Sequence, residues 1–426
     1  MKIFFKLLVF WFFCTNLNAQ GLVDTLSKAF ENNSKLNAER ASLSATKQDL
    51  KISRGEFLPS VTIEGNMSAQ KDVDRKDHSG AALQDTHGAP KSQSIVIEQK
   101  IFDGFTNYND VKKSELELVY AEIQLNKLEQ TVLLDAAKAY YGLLYSYKNL
   151  QFNQSNFDLF ERQVETDRSR LERGEINLTD FAQSESSFAG ANAKLITAEN
   201  ELVSTKKNFE KVIGDKAPEI TNLESTPKFK VPSSFDHSII IAKKLNPSLN
   251  LAKIDLEISK KDLLIAKGEL APSAKLSYSL KKNQDLSATV DEREQEELKA
   301  TVTWPIFDGG KNLSSVRKAK FKLQQRQLIF DDVSKNVNIE IANAWTLFTS
   351  SRGVLNATTA QLKAAEIANE GITLEYDTGN KRTTLEVIQS RTLLLDARTS
   401  FAKAQKDYAI AQLNLLASIG NLSLPK

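Results

Sequence analysis

An internal duplication constrains this chain more than any other feature of its sequence. Residues 32–60 align without a gap on residues 245–273, and further matches follow in the same order over nearly the whole chain. The clearest matches are Asp49-Leu50 with Asp262-Leu263, Gly55-Glu56 with Gly268-Glu269, Pro59-Ser60 with Pro272-Ser273, Ile101-Phe102-Asp103-Gly104 with Ile306-Phe307-Asp308-Gly309, Lys113 with Lys318, and Gln183-Ser184 with Gln389-Ser390. Chance does not preserve such an order, so the chain contains two structural repeats. We predict repeat 1 at 20–214, an irregular connector with three prolines at 215–236, and repeat 2 at 237–426.

Each repeat contains a long stretch without proline, which favours long helices. No proline occurs from 91 to 217 or from 306 to 424. Apolar residues in the first stretch recur every seven positions, at Val111, Leu118, Leu125, Val132 and Ala139. Such a heptad stripe is typical of helices that pack along one another as a coiled coil. The predicted helices are about 22–56, 105–172 and 180–213 in repeat 1, and 310–378 and 387–420 in repeat 2.

Between the helices, apolar and polar residues alternate with a period of two. The alternation predicts strands with one apolar and one polar face. The predicted strands are 57–69 and 93–102 in repeat 1, and 272–282 and 297–307 in repeat 2, with the polar stretches 70–92 and 283–296 as loops. Two unlike faces suit a strand that lies between lipid and a watery lumen, and Trp304 is a candidate for the aromatic girdle at the membrane interface.

The first residues have the pattern of a signal peptide at 1–19. Lys2 and Lys6 supply positive charge, an apolar core follows, and a small residue precedes the expected cleavage after Ala19. Cys14 follows a phenylalanine, which argues against lipidation of that cysteine. We therefore predict an exported protein that begins at Gln20 and contains no thiol.

Composition argues against several other classes of protein. The formal net charge is only +2, so the chain has no electrostatic footprint for nucleic acid. The three histidines, His78, His87 and His237, are scattered and lack the spacing of metal ligands. The sequence contains no plausible His-based triad and no Gly-rich phosphate loop. We predict that the protein is not an enzyme and that it binds no cofactor.

The whole pattern over 22–420 resembles the TolC family of outer-membrane efflux and secretion proteins. The resemblance is carried by paired Pro-Ser strand entries, paired Phe-Asp-Gly helix starts, Ala139-Tyr140-Tyr141, and the doubled layout. It implies a mainly α protein with a transmembrane β part, in which a homotrimer forms a twelve-stranded β-barrel continued by a long α-helical coiled-coil tunnel. It also implies the outer membrane of a Gram-negative bacterium, with the helical part in the periplasm. The expected function is the exit duct of a tripartite efflux pump or type I secretion system.

The resemblance also implies partners and sites. The expected partners are a periplasmic adaptor protein, an inner-membrane pump and outer-membrane lipid. The turns expected to dock the adaptor are Arg173-Gly174-Glu175 and Thr378-Gly379-Asn380. The positions expected at the tunnel entrance constriction are Asp180, Gln183, Glu386 and Gln389. Crowded carboxylates there would attract cations, but Asp180 and Glu386 also suit a second hypothesis, as acids favoured at helix starts by the helix dipole.

An alternative function is that of a periplasmic coiled-coil adaptor or structural protein without a pore. Such adaptors carry one helical hairpin between small β-domains, whereas this chain has two equivalent repeats with amphipathic strands. Fractionation discriminates between the two, because a channel stays in the outer membrane after salt or carbonate washing.

Overall fold

The structure, a computed structural model, describes residues 21–219, 229–287, 290–378 and 382–424. The predicted signal peptide, Gly379 and Asn380 lie outside these residues. The described chain divides into two compact units. The sheet unit comprises 39–125 and 247–335, and the helical unit comprises the described parts of 1–38, 126–246 and 336–426.

The sheet unit is built on four antiparallel strands in the order β1-β4-β5-β6. These strands are β1 (Ser60–Met67), β4 (Lys91–Phe102), β5 (Ser273–Ser287) and β6 (Val290–Thr303). Between β1 and β4 the chain forms a short antiparallel ribbon of β2 (Gln70–Asp72) and β3 (Thr86–Gly88). The two strands of repeat 1 and the two strands of repeat 2 therefore form one sheet, in which β4 of repeat 1 pairs with β5 of repeat 2.

The register places the apolar residues of all four strands on one face. Val61 lies opposite Ile97, Ile97 opposite Tyr278, and Tyr278 opposite Leu298. Because side chains alternate between faces along a strand, the neighbouring positions form the opposite, polar face. A representative row of that face is Ser60, Glu98, Ser277 and Lys299.

Two strand predictions were wrong. The stretch 283–296, predicted as a loop, extends the β5–β6 hairpin on both sides of positions that lie outside the described residues. Most of its side chains are polar, so it lacks the apolar alternation that marks a strand, and cross-strand ion pairs join its two arms instead. Lys282 lies 2.6 Å from Glu292 and 3.1 Å from Glu294. At the other end, β6 stops at Thr303 instead of 307, because Pro305 has no N–H for the ladder.

Helices make up most of the rest of the described chain. The long helices are α3 (Thr106–Glu172) and α7 (Lys311–Asp377), and each is followed by a returning helix, α4 (Leu178–Ile213) or α8 (Thr384–Ser418). The shorter helices are α1 (Leu22–Asn32), α2 (Ser34–Gly55), α5 (Phe235–Leu245) and α6 (Pro247–Gly268). No described helix contains a stretch long and apolar enough to cross a membrane.

Side-chain caps define several helix ends. The single helix predicted at 22–56 is divided at Asn33, whose side-chain oxygen accepts hydrogen bonds from the backbone N–H groups of Lys35 and Leu36. These two hydrogen bonds satisfy backbone N–H groups that have no partner within the first turn of α2. At the start of α3, Asp103 accepts from the N–H of Asn107 at 2.8 Å, and its duplicate Asp308 accepts from Asn312 at 2.7 Å before α7.

The core of the helical unit lies where the heptad stripe places it. Val132 and Ala139 of α3 are buried, as is Val337 of α7, the duplicate of Val132. The largest fully buried apolar side chains there include Tyr140, Leu143, Phe209, Ile213, Leu413 and Leu415. Large apolar side chains that are removed from water stabilise the unit by about 1.5–3 kcal/mol each.

Candidate functional site

The first predicted docking turn joins α3 to α4. Gly174 has φ +73°, a left-handed conformation that glycine adopts without steric cost. Arg173 lies 2.7 Å from Glu175, and hydrogen bonds from this guanidinium lower the pKa of the Glu175 carboxylate. The helix then starts at Leu178, before the predicted 180, because the Asn177 side chain caps it.

The second predicted turn joins α7 to α8. Thr378 ends the described part of α7's C-terminal turn, and the description resumes at Arg382. The Arg382 guanidinium lies 2.6 Å from Glu375 and 2.9 Å from Glu386, so it links the end of α7 to the start of α8. A capping box between Thr383 and Glu386 begins α8 at Thr384, earlier than the predicted 387.

The four predicted constriction residues lie in the first turns of the returning helices. Asp180 is half-buried and Gln183 is exposed on α4, and Glu386 is half-buried and Gln389 is exposed on α8. The Glu386 carboxylate accepts a hydrogen bond from the Thr383 N–H at 2.8 Å. That backbone bond and the Arg382 guanidinium lower the pKa of Glu386. Glu386 therefore serves as a helix-start acid in this chain, and its place in a carboxylate ring stays a prediction.

A buried polar cluster lies near the two turns, within the helical unit. Asp167 of α3 is fully buried. Its carboxylate accepts hydrogen bonds from the Gln163 amide at 3.1 and 3.0 Å and from the Ser184 hydroxyl of α4 at 2.5 Å. A buried carboxylate is tolerated only when such donors replace its lost water. The cluster therefore fixes α3 against α4.

The same cluster connects repeat 1 to repeat 2. The Tyr376 hydroxyl of α7 accepts a hydrogen bond from the Arg170 guanidinium of α3, which also lies 5.2 Å above the tyrosine ring. The same hydroxyl lies 3.4 Å from the Gln163 amide nitrogen and 3.3 Å from the Thr384 hydroxyl of α8. Arg391 of α8 donates to the Gln163 side-chain oxygen at 3.1 Å, and burial lowers the pKa of this guanidinium. Four helices thus meet through one chain of polar contacts.

The heptad pattern does not predict this cluster, although the sequence contains a signal for it. Buried positions of α3 recur at helical spacing through Asn153, Asn156, Phe160, Gln163 and Asp167. Four of these five are polar, on a stripe where a coiled coil ordinarily has apolar residues. A charged residue on such a stripe indicates a specific partner on another helix.

The described residues contain no group of three or more His, Cys, Asp or Glu side chains that is placed to hold a metal ion.

Residues 25–215 and 239–421 match the family described as outer membrane efflux protein. The chain belongs to the outer membrane efflux protein family. The matched ranges correspond to the two repeats and leave out most of the connector.

Individual relatives agree with this membership. The outer membrane efflux protein BepC of Brucella suis is 25% identical over 406 residues, covering 95% of this chain and 86% of that protein. The outer membrane protein TolC of Vibrio cholerae is 24% identical over 422 residues, covering 95% of this chain and 92% of that protein. Among solved structures, the CmeC outer membrane channel of Campylobacter jejuni superposes with a TM-score of 0.82 at 15% identity, over 94% of this chain and 85% of that one.

Family membership confirms the predicted class of function. This efflux-family chain is an outer-membrane protein that serves as an exit duct for efflux or secretion. The members of the family are channel proteins rather than enzymes. The structural likeness to CmeC shows the same fold.

Proposed function

We propose that three copies of this chain close their sheets into one twelve-stranded barrel, which passively conducts substrates out of the periplasm. One observation carries the proposal: the four-stranded sheet has unlike faces and two unpaired edges, β1 and β6. Open strand edges are not tolerated in lipid, and four strands cannot close on themselves. Copies of the same sheet, joined edge to edge, satisfy both edges. We take the number of copies as three because channels of this family are homotrimers.

The two faces suit lipid on one side and water on the other. On the apolar face, Ile63 is 77% and Leu298 69% exposed, an arrangement that is unfavourable in water and favourable against lipid. On the polar face, Lys275 lies 3.0 Å from Glu98, an ion pair that needs hydration. We assign the polar face to the lumen of the barrel.

For the helical end, we propose that the turns at Arg173-Gly174-Glu175 and Thr378-Gly379-Asn380 contact a periplasmic adaptor protein, which couples the duct to an inner-membrane pump. Two ion pairs support this assignment: Arg173 with Glu175 within the first turn, and Arg382 with Glu375, which links the helix ends on either side of the second.

We further propose that the entrance is narrowed near Asp180, Gln183, Glu386 and Gln389 and held closed by the polar cluster around Asp167 and Tyr376. The cluster supports the proposal because it joins helices of both repeats close to the turns. Opening then requires that Tyr376 separate from α3.

Insertion tests the assignment of the two faces. The variant Ile63→Lys places a charge on the apolar face, and the control Thr62→Lys places the same charge one residue away on the polar face. A lysine at mid-bilayer costs about 2–4 kcal/mol, so we expect Ile63→Lys to be depleted from washed outer membranes while Thr62→Lys inserts normally. Equal insertion of both variants would contradict the assignment.

The native mass tests the assembly. Wild-type protein extracted from outer membranes in detergent is weighed after subtraction of bound detergent. Three chains, together with conductance in planar bilayers, support the duct. A single chain without conductance would favour the periplasmic coiled-coil alternative.

A further inference from the structure

The first turns of α7 concentrate positive charge. Between 309 and 330 the sequence contains no acidic residue and six basic ones, which are Lys311, Arg317, Lys318, Lys320, Lys322 and Arg326. Arg326 pairs with Asp255 of α6 at 3.1 Å. The other basic side chains are exposed, and none of them forms an ion pair within the part of the chain that the structure describes. Most of the charge on this segment is therefore unbalanced inside the chain.

The corresponding segment of repeat 1 is balanced. On α3, the Glu115 carboxylate lies 2.9 Å from Lys112 and 3.4 Å from Arg54 of α2. The three corresponding residues of repeat 2 are all basic: Lys320, Arg317 and Lys267. An acid that balances two cations in repeat 1 is therefore a third cation in repeat 2. We refer to Lys267, Arg317 and Lys320 as the basic cluster.

The junction between the short and the long helix has the same local geometry in both repeats. At the start of α3, the Asn107 side chain donates to the carbonyl oxygen of Glu56 at 3.4 Å. At the start of α7, its duplicate Asn312 donates to the carbonyl oxygen of Glu269 at 3.2 Å. The second bond ties the end of α6 to the start of α7. Lys267, in the last turn of α6, therefore lies beside the first turns of α7.

The charges on α7 oppose helix formation instead of supporting it. Arg317 and Lys320 are three residues apart, and Lys318 and Lys322 are four apart. Like charges at these spacings destabilise a helix, whereas the Lys112–Glu115 pair at the same place on α3 stabilises one. The repeated fold accepts an acid at this position, so folding alone does not explain three cations. A negatively charged ligand would offset their repulsion.

The basic cluster lies at the end of the sheet, where strands give way to helices. Trp304 follows the end of β6, and its indole N–H donates to the carbonyl oxygen of Leu270, three residues beyond Lys267. Ile306 and Phe307 are 85% and 89% exposed. Exposed aromatic and apolar side chains at the end of a lipid-facing sheet are typical of the membrane interface. The cluster therefore lies near the depth of the lipid headgroups on the periplasmic side.

We propose that the basic cluster binds the phosphate headgroup of an anionic phospholipid in the periplasmic leaflet of the outer membrane. Lysine and arginine side chains next to a membrane attract anionic lipids, and Ile306 and Phe307 are placed to contact the acyl chains. This inference rests on the proposed contact of the apolar face with lipid and adds the class of lipid. Only repeat 2 has all three cations, so each copy of the chain binds one such lipid.

Quenching of Trp304 fluorescence by brominated lipids tests the proposal. Trp304 and Trp345 are the only tryptophans beyond the predicted signal peptide, so a Trp345→Phe background reports on Trp304 alone. The assembled protein is reconstituted in phosphatidylethanolamine vesicles with a minor fraction of brominated phosphatidylglycerol or brominated phosphatidylethanolamine. Each cation beside an anionic headgroup changes affinity about 5-fold, so we expect the anionic lipid to be preferred on the order of 10-fold or more.

Lys320→Glu is the decisive variant, because Glu115 occupies the corresponding position on α3 and the fold accepts it. We expect this variant to lose the preference for the anionic headgroup, since its charge changes by two. Lys320→Gln should lower the preference about 5-fold. The control Lys335→Glu makes the same charge change at an exposed position of the same helix, about 22 Å further along, and should keep the wild-type preference.

The possible failures are distinguishable. Equal quenching of the wild type by both headgroups, or an unchanged preference in Lys320→Glu, would overturn the lipid site and leave the apolar face in lipid. Absence of quenching by either brominated lipid would instead refute the membrane assignment of the sheet. Inorganic phosphate is compared with chloride at matched ionic strength, and we expect both to have the same effect. A loss of lipid preference specific to phosphate would overturn the lipid as the ligand and indicate a site for the free anion.

Discussion

The hydroxyl of Tyr376 offers the most direct test of how the entrance is held closed. It contacts groups of α3 and of α8 at once, through Arg170, Gln163 and Thr384. The variant Tyr376→Phe removes only this oxygen. The ring keeps its position 5.2 Å below the Arg170 guanidinium. The perturbation is therefore confined to hydrogen bonds between helices.

The expected magnitude follows from those bonds. A net hydrogen bond contributes about 1 kcal/mol, and the charged one to Arg170 is discounted because that side chain is about a third exposed. If the variant loses about 1 kcal/mol of closed-state stability per chain, the equilibrium constant for opening one entrance helix pair rises roughly 5-fold. If three copies open together, the free energies add to about 3 kcal/mol and the open population rises roughly 150-fold.

Single-channel recording in planar bilayers measures this population directly. The control is Tyr408→Phe, because the Tyr408 ring stacks on Phe348 and its hydroxyl has no hydrogen-bond partner among the described residues. We expect Tyr408→Phe to match wild type and Tyr376→Phe to open far more often. An open probability of Tyr376→Phe within twofold of wild type would refute the role of the cluster in closure.

Three further predictions concern the turns. The pKa of the Glu386 carboxylate lies below its ordinary 4.5, so the stability that this residue contributes as a cap is complete above pH 4.5 and is lost as the pH falls through the folded pKa. We therefore expect acid to raise the conductance of the wild-type channel. We expect Glu386→Gln to show raised conductance already at pH 7. Asp180→Asn combined with Glu386→Gln should lower cation selectivity, and an unchanged reversal potential would remove both residues from the constriction. Replacement of Gly174 and Gly379 by bulky residues should abolish export while the native mass stays that of wild type. A side chain at position 174, where φ is +73°, strains the turn by about 1–2 kcal/mol. Normal export by this double variant would contradict the docking assignment.

The parts of the fold that follow a hydrophobic period were predictable, and the parts that follow individual polar contacts were not. The long helices carry an apolar stripe every seven residues, and the strands alternate apolar with polar side chains. The hairpin arms beyond Lys281 and before Glu297 carry neither pattern. They form because Lys282 pairs across the strands with Glu292 and Glu294, which depends on register and is not visible in a local window.

The functional region shows the same division. Glycine, asparagine and threonine signals locate both turns, because Gly174, Asn177 and Thr383 act on their own neighbours. The Asp167 cluster joins residues that are far apart in sequence, such as Gln163 and Arg391. Only the packing of four helices brings them together, so sequence spacing contains no record of the cluster beyond one buried polar stripe.

The duplication also indicates where the two repeats act differently. Ser184 and its duplicate Ser390 both donate to the preceding long helix, but Ser184 donates to the Asp167 carboxylate and Ser390 to the Asn369 side-chain oxygen at 3.1 Å. Among the described residues at this level, a buried carboxylate therefore occurs in repeat 1 alone. The residue of repeat 1 that corresponds to Arg391 is Glu185. The guanidinium contact between the repeats therefore runs from repeat 2 to repeat 1, from Arg391 to Gln163. Positions that diverge near the turns suit a gate in which α7 and α8 move against a better anchored α3 and α4.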